Sequence, residues 1–332
     1  MTVTSAKGTV LDMSAGTGLT AGTLTSTTGK IGVDSAAGLL KITTATAQTL
    51  LDAKSVAGDL NIGTFTAATA VVQSGNDLAV TTANTSGDMQ ATAGRNAILG
   101  NMTSALGKVK VDSSGSMSVT SVKAANEVDL SGRTGITTGT LTSTNAFIDV
   151  DSLTGSVRIN SATAKTYFTA NSYGAMTVGT FGVTAGYASL VSGGAMAITT
   201  GTSTGNMTID GGTNVALGNL TTSGGYIDAL ARTGGITFGT LKANSKVKLR
   251  ANSAWSNGQA ISGTAMYASN GSVDLLASSG GISMTTLSGT KQSSVSTLAG
   301  PIKISTVMGF SSPSLLTITA TGGTKTVPVA YR

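Results

Sequence analysis

Apolar residues along this chain fall singly between Thr, Ser, Gly and Ala, and they recur at a long, nearly fixed interval. One series runs Leu19, Leu40, Leu60, Leu78, Ala97, Met117, Ile136, Val157, Met176, Met196, Val215, Ile236, in steps of 18 to 21 residues. Two residues on, Ala21, Ile42, Ile62, Val80, Leu99, Val119, Thr138, Ile159, Val178, Ile198, Leu217 and Phe238 form a second column, broken only by Thr138. Apolar residues at i and i+2 with polar residues between them predict a strand. A strand every ~20 residues, with no helical periodicity between copies, predicts a coil in which each turn is one rung, paired in parallel with the rungs on either side. The expected fold is therefore all-β, a parallel β-helix or β-solenoid, and crossover chirality favours the right hand.

A third column, five residues after the first, alternates in size: Leu24, Ala45, Phe65, Ala83, Met102, Val122, Leu141, Ala162, Phe181, Gly201, Leu220, Leu241. Rungs lie only ~4.8 Å apart, so large side chains on every rung would crowd, whereas alternation lets them interdigitate. The residue at +3 alternates in step. It is Gly22, Gly63, Gly100, Gly139, Gly179 and Gly218 on large rungs, and Thr43, Thr81, Thr120, Asn160 and Thr199 on small ones. Glycine permits backbone angles closed to other residues, which predicts that the corner conformation alternates too. The packing unit is thus two rungs, about 39 residues. "LDMSAGTGLTAGTLTST" (11–27) aligns with "VDLSGRTGITTGTLTST" (128–144), an offset of 117 residues or six rungs, which marks an internal duplication.

Regularity fades after residue 242. Ile282 and Ile302 resume the first column, and the spacing from Ile236 calls for two rungs plus about six extra residues, assigned to "ANSAWSNGQAISG" (251–263). All three prolines lie at 301 or later. The expected organisation is a β-helical shaft over 1–310, about 15 rungs long, with an insert near 251–263. Residues 311–332 are expected to form a β-hairpin, a cap or a linker to a further module, since their alternating Thr and the Gly322–Gly323 pair read as a hairpin.

Composition narrows the class. The chain has 332 residues, 45 Gly, 3 Pro, 4% aromatic and 10% charged residues, yet 40% are hydrophobic. Few aromatics demand a core of many small layers, which stacked strands supply. No apolar run approaches the ~18 residues of a membrane span, and the sequence begins without a charged-then-apolar signal pattern, so a mature form, a fragment or another export route is expected. With no Cys and no His, disulfides, thiol chemistry and the usual zinc ligands are excluded. The formal charge of +6 comes from Lys and Arg spread along the chain with few stacking aromatics, so nucleic acid is not the expected partner.

Four sets of residues could carry chemistry. The +4 column, represented by Thr23, Thr64, Asn101, Thr140, Thr180, Asn219 and Thr240, is hydroxyl or amide throughout. It reads as a ladder of inter-rung hydrogen bonds worth about 0.2–1 kcal/mol per pair, or as a flat face for ice or polysaccharide. Asp recurs in an apolar context, and Asp34, Asp112 and Asp151 are the calcium candidates; the alternative is solvated corner Asp beside Lys or Arg, with no cofactor. Lys246, Lys248 and Arg250 alternate on one strand face, suited to an acidic glycan or simply to solvent, and Trp255 and Tyr267 flank the insert as a local patch. Asp149 and Asp151 share a strand face, but they recur in a repeat context, so a glycosidase pair is not the favoured reading and no enzyme is expected.

With φ-x-φ-G-T/N-φ rungs such as "LTAGTL" (19–24), "LNIGTF" (60–65) and "MTVGTF" (176–181), residues 8–305 resemble the β-helical shaft of filamentous-haemagglutinin-type exoproteins and related large bacterial adhesins. The secretion-domain motifs at the start of such exoproteins are not evident in this sequence. The resemblance implies a right-handed β-helix at the bacterial cell surface or in the extracellular matrix, serving adhesion or matrix building, with no catalytic residues to carry over. The expected partners are further repeats or copies of the same protein, stacked end to end as a filament, and host or matrix glycans. The alternative function is a binding module on the Thr/Ser/Asn face; a polysaccharide lyase or hydrolase comes third.

Overall fold

A computed structural model describes residues 1–254, 258–312 and 315–327. The fold is all-β, with no α-helix among the described residues, and its parallel strands stack as a solenoid of about 16 turns at ~20-residue spacing. Two compact units divide the chain, 1–165 and 166–332. Both are built from the same turn: one long strand, a tight corner, one short strand and a second corner. Leu19–Ser26 is a long strand and Ile31–Ser35 the short one that follows it.

The long strand is bent, and its residue pattern says where. In the first unit Leu19–Ser26 pairs in parallel with Leu40–Thr46, Ala21 opposite Ile42 and Thr23 opposite Thr44, so Gly22 and Thr43 drop out of the ladder. The same residue drops out between Leu60–Ala67 and Leu78–Thr85, and in the second unit between Met176–Val183 and Met196–Ser203. Around this point two successive residues face outward. Leu19 and Ala21 point in before it, Leu24 and Ser26 after it. A strand that switches its inward parity must turn there, so the +3 column marks a third corner inside each long strand.

The glycines on this corner serve close approach. A Cβ on Gly22 would stand 2.1 Å from Thr4 O, on Gly100 2.1 Å from Thr81 O, on Gly139 2.1 Å from Thr120 O and on Gly218 2.0 Å from Thr199 O. None of these glycines has positive φ. The expected special backbone angle is therefore corrected: the preceding turn's carbonyl occupies the space of a side chain. Positive φ is found elsewhere, for example at Gly18 and Gly38, before long strands, and at Gly135, the first residue of one. The Thr4 contact also reveals a small rung that the columns had not included, with long strand Thr2–Gly8, Val3 opposite Ala21 and Ala6 opposite Leu24.

Inside, the alternation of size is a packing fact. Ala45 lies between Leu24 and Phe65, and a Cβ on Gly201 would fall 2.3 Å from the Phe181 ring, which already fills that level. Short strands supply the opposite wall: Ile31, Val33, Leu51, Ala53, Val109 and Val111 are fully buried. Serines close the core at its corners. Ser104 Oγ donates to Gly87 O at 2.8 Å, Ser113 Oγ to Arg95 O at 2.7 Å and Ser192 Oγ to Gly174 O at 3.0 Å, so a small polar side chain satisfies the turn carbonyl of the neighbouring rung. Asx side chains do the converse. Asp77 Oδ1 accepts from Asn96 N and Asn96 Oδ1 from Ser116 N, each at 3.0 Å.

Thr138, the exception in the second column, is buried and its Oγ1 lacks a hydrogen-bond partner. An unmatched buried hydroxyl costs about 1–3 kcal/mol. Thr138→Val, of nearly the same shape, is therefore expected to raise stability by about 1 kcal/mol, read as a higher urea midpoint; a lower midpoint would show that the hydroxyl is satisfied.

Two expectations about the C-terminal third resolve differently. Extra residues do lie where the sequence placed them: a strand ends at Ala251, the next begins at Gln259, and Ile236 is in register with Ile261. The hairpin is corrected. Leu316–Ala320 pairs in parallel with Ser293–Thr297, and Lys325–Thr326 in parallel with Ile302–Lys303. Both segments continue the stack, because Leu316 and Ile318 fall in register with Ser293 and Val295 of the preceding short strand.

Candidate functional site

The most regular surface is the outer side of the long-strand bend. On the Gly turns the +4 residues Thr23, Thr64, Asn101, Thr140, Thr180 and Asn219 are exposed. On the other turns their counterparts Thr44, Thr82, Ser121, Ser161 and Thr200 are half-buried. There the exposed group is the bend residue itself: Thr43, Thr81, Thr120, Asn160 and Thr199. From Thr23 to Asn219 the fixed-offset column is therefore replaced by a zigzag with one exposed uncharged polar group per turn. A constant offset conceals it, since on every second level the bend residue is a glycine with no side chain to expose. Thr240 follows Gly239 and is half-buried, so it leaves the exposed set. Rungs are linked along this ridge by Ser121 Oγ donating to Asn101 Oδ1 at 2.7 Å and Thr240 N donating to Asn219 Oδ1 at 3.1 Å.

The repeated aspartates stand on the outward face of the short strands, not at corners. Asp34 is level with Ser14 and Lys54 on the adjacent rungs. Asp112 and Asp151 flank Ser131 from either side and so lie two rungs, ~9.6 Å, apart. Among the described residues no group of three or more Asp, Glu, His or Cys is positioned to hold a metal. Asp149 and Asp151 do share the outward face of Ile148–Ser152.

Cations neutralise much of this face. Lys110 Nζ donates to Asp129 Oδ2 at 2.6 Å and lies 3.8 Å from Asp112. That hydrogen bond lifts Lys110 above the ordinary lysine value; partial burial opposes it, and the charges of Asp129, Asp112 and Glu127 add to it. Its contribution to stability is fully present below the unfolded lysine pKa and is lost as pH rises through the raised one. The side chain is 36% exposed, so the effect is that of a surface pair, small and screened. The Arg232 guanidinium, hydrogen-bonded to Asp210 at 2.6 and 2.8 Å, is likewise raised.

The basic strip is real but largely paired. Lys246, Lys248 and Arg250 alternate outward on Lys246–Ala251 while Val247 and Leu249 are buried. Lys246 bridges to Asp274, Lys248 lies 3.8 Å from Asp228, and Arg250 lies 3.1 Å from Asp228. Two carboxylates thus offset three cations. Tyr267 is not part of this strip: it lies in the other sheet, opposite Lys242, whose ammonium is 5.7 Å from the ring centroid. Trp255 lies outside the described residues. The strip and Tyr267 therefore lie on different faces.

Sequence reasoning missed one outward column. The residue preceding each short strand's first core position is Tyr167, Tyr187, Asn206, Tyr226 and Lys246 on successive turns of the second unit. Tyr167 and Tyr187 stack at 5.3 Å with planes 10° apart. Their signal was present as three tyrosines in a chain with few aromatics, but they lie outside the three columns followed. Among the described residues no helix is long and apolar enough to cross a membrane. No family model, no curated protein and no solved structure matches this chain.

Proposed function

We propose that the chain is an extracellular structural or adhesive scaffold, a solenoid segment that stacks end to end into a filament or forms part of a longer exoprotein at a bacterial cell surface. One observation carries this reading: the first turn is built as an interior turn. Its strands Thr2–Gly8 and Leu11–Ala15 are paired in parallel with Leu19–Ser26 and Ile31–Ser35. Its core residues Val3, Ala6, Leu11 and Met13 are only half-buried, where their equivalents one turn on are fully covered. A further turn, from this chain or another copy, would cover them and continue both ladders; strand edges of this kind are templates for pairing. The uncharged ridge gives such a filament a repeating polar surface, which suits the alternative reading of contact with ice or a polysaccharide.

In electron micrographs the protein is expected to form rods that lengthen with concentration, and Val3→Lys, which puts a charge on the joining face, is expected to shorten them. Dispersed rods of one length at high concentration, with the same distribution for Val3→Lys, would reject assembly.

A further inference from the structure

We propose that Tyr187, Asn206 and Tyr226 form a slot that binds one uncharged pyranose ring of a glycan. Register places the three residues in line, since Ala188, Met207 and Ile227, each one residue on, are ladder partners. One face of Tyr187 is covered by Tyr167. The stack is nearly parallel and close to the rung spacing, so the ring lies across the direction of stacking. Its second face looks toward the next turn, where the equivalent residue is Asn206, too short to cover an aromatic ring. Tyr226 stands one turn further, ~9.6 Å from Tyr187 by strand spacing. That interval takes one sugar ring in van der Waals contact on both sides, each contact needing about 3.5–4 Å.

The floor has the polarity a sugar requires. Asn206 Oδ1 accepts the Tyr226 N–H at 3.2 Å, which fixes the amide and leaves Nδ2 with no described protein acceptor. Thr208 and Ser189, two residues along the same outward face, add hydroxyls. Tyr187 is 45% exposed. Charge is already matched around the slot: Asp210 is held by Arg232 and Lys246 by Asp274. Aromatic walls that present an apolar face beside hydroxyl and amide donors fit the two-sided character of a neutral pyranose and offer no free cation to a uronate or sulfate. The slot belongs to a single chain and does not rest on filament assembly.

Calorimetric titration of the full chain with cellohexaose and chitohexaose, with an oligogalacturonate as the acidic probe, tests this. At least one neutral probe is expected to bind and the acidic one not. Tyr187→Ala and Asn206→Ala are expected to weaken binding about tenfold, Tyr187→Phe to retain it, and Tyr173→Ala, an exposed tyrosine on another corner, to leave it unchanged. Circular dichroism melts separate loss of fold from loss of binding. The proposal is overturned if neither neutral probe binds, if the oligogalacturonate binds as well, or if folded Tyr187→Ala binds like the parent. Rod formation in the same samples reports separately on assembly.

Discussion

Phe181→Ala is expected to destabilise the second unit by about 3–5 kcal/mol, as for a fully packed Phe. The ring is buried, 5.6 Å from the Phe168 ring, and occupies the level of Gly201 on the next turn. Gly201→Leu is expected to be damaging by itself, by about 1–3 kcal/mol, because its Cβ would meet Phe181 at 2.3 Å and Leu220 Cδ2 at 2.9 Å. Combined, the two changes move the large side chain by one turn. The new Leu then fills part of the space the ring left, and the double variant is expected to be more stable than the sum of the single effects by about 0.5–3 kcal/mol. Solenoids unfold by neighbouring turns and not always as one unit, so the readout is a urea midpoint with hydrogen exchange over the turns from Met176 to Thr222. Strict additivity would show that size alternation is not an energetic coupling between turns.

Gly139→Ala tests the backbone side of the same alternation. The added methyl would stand 2.1 Å from Thr120 O. That oxygen belongs to the bend of the preceding turn, whose flanking residues are fixed by ladder pairing with Gly139's own strand. No side-chain rotation relieves the clash, so a loss of about 2 kcal/mol or more is expected. Gly182→Ala is the control. Its Cβ would meet only Thr202 Oγ1 at 3.5 Å, and loss of a glycine's freedom in the unfolded chain makes that change neutral or slightly stabilising. Equal losses at both sites would mean that strand glycines act through propensity and not through contact.

Much of this was legible in the sequence because the solenoid makes local pattern and global contact the same thing. A residue's packing partners are its counterparts about 20 positions away, so a column read down the chain is a wall of the core. Leu24, Ala45 and Phe65 were ordered correctly by size alone. What escaped was whatever depends on the third dimension of the corner. Gly22 and Thr23 both face outward, and a fixed offset cannot register that the exposed hydroxyl moves from Thr23 to Thr43 between turns. The hairpin expectation at residues 316–326 failed for a related reason. Thr alternation and a Gly-Gly pair specify a strand–turn–strand locally, but not whether each strand pairs with the other or with the turn beneath. The site residues were harder still. Lys246, Lys248 and Arg250 advertised a cationic face, while the offsetting carboxylates of Asp228 and Asp274 sit a turn away on either side. Tyr187 and Asn206 have no distinguishing neighbours in sequence and gain meaning only when stacked.

The glycine-and-carbonyl contact at the bend gives the array a parity. A turn carrying Gly at the bend fits over one carrying Thr, as Gly139 fits over Thr120, and the core is large on the first and small on the second. Gene duplication or recombination that removes or adds a single turn would bring two like turns together, whereas a change by two turns restores every contact. The 117-residue duplication, six turns long, obeys this rule. Gly239 follows Gly218, where the bend contact relaxes to 3.0 Å, and the extra residues between Ala251 and Gln259 close that same turn. Length in this architecture is inherited in even numbers, and an odd change leaves a visible scar.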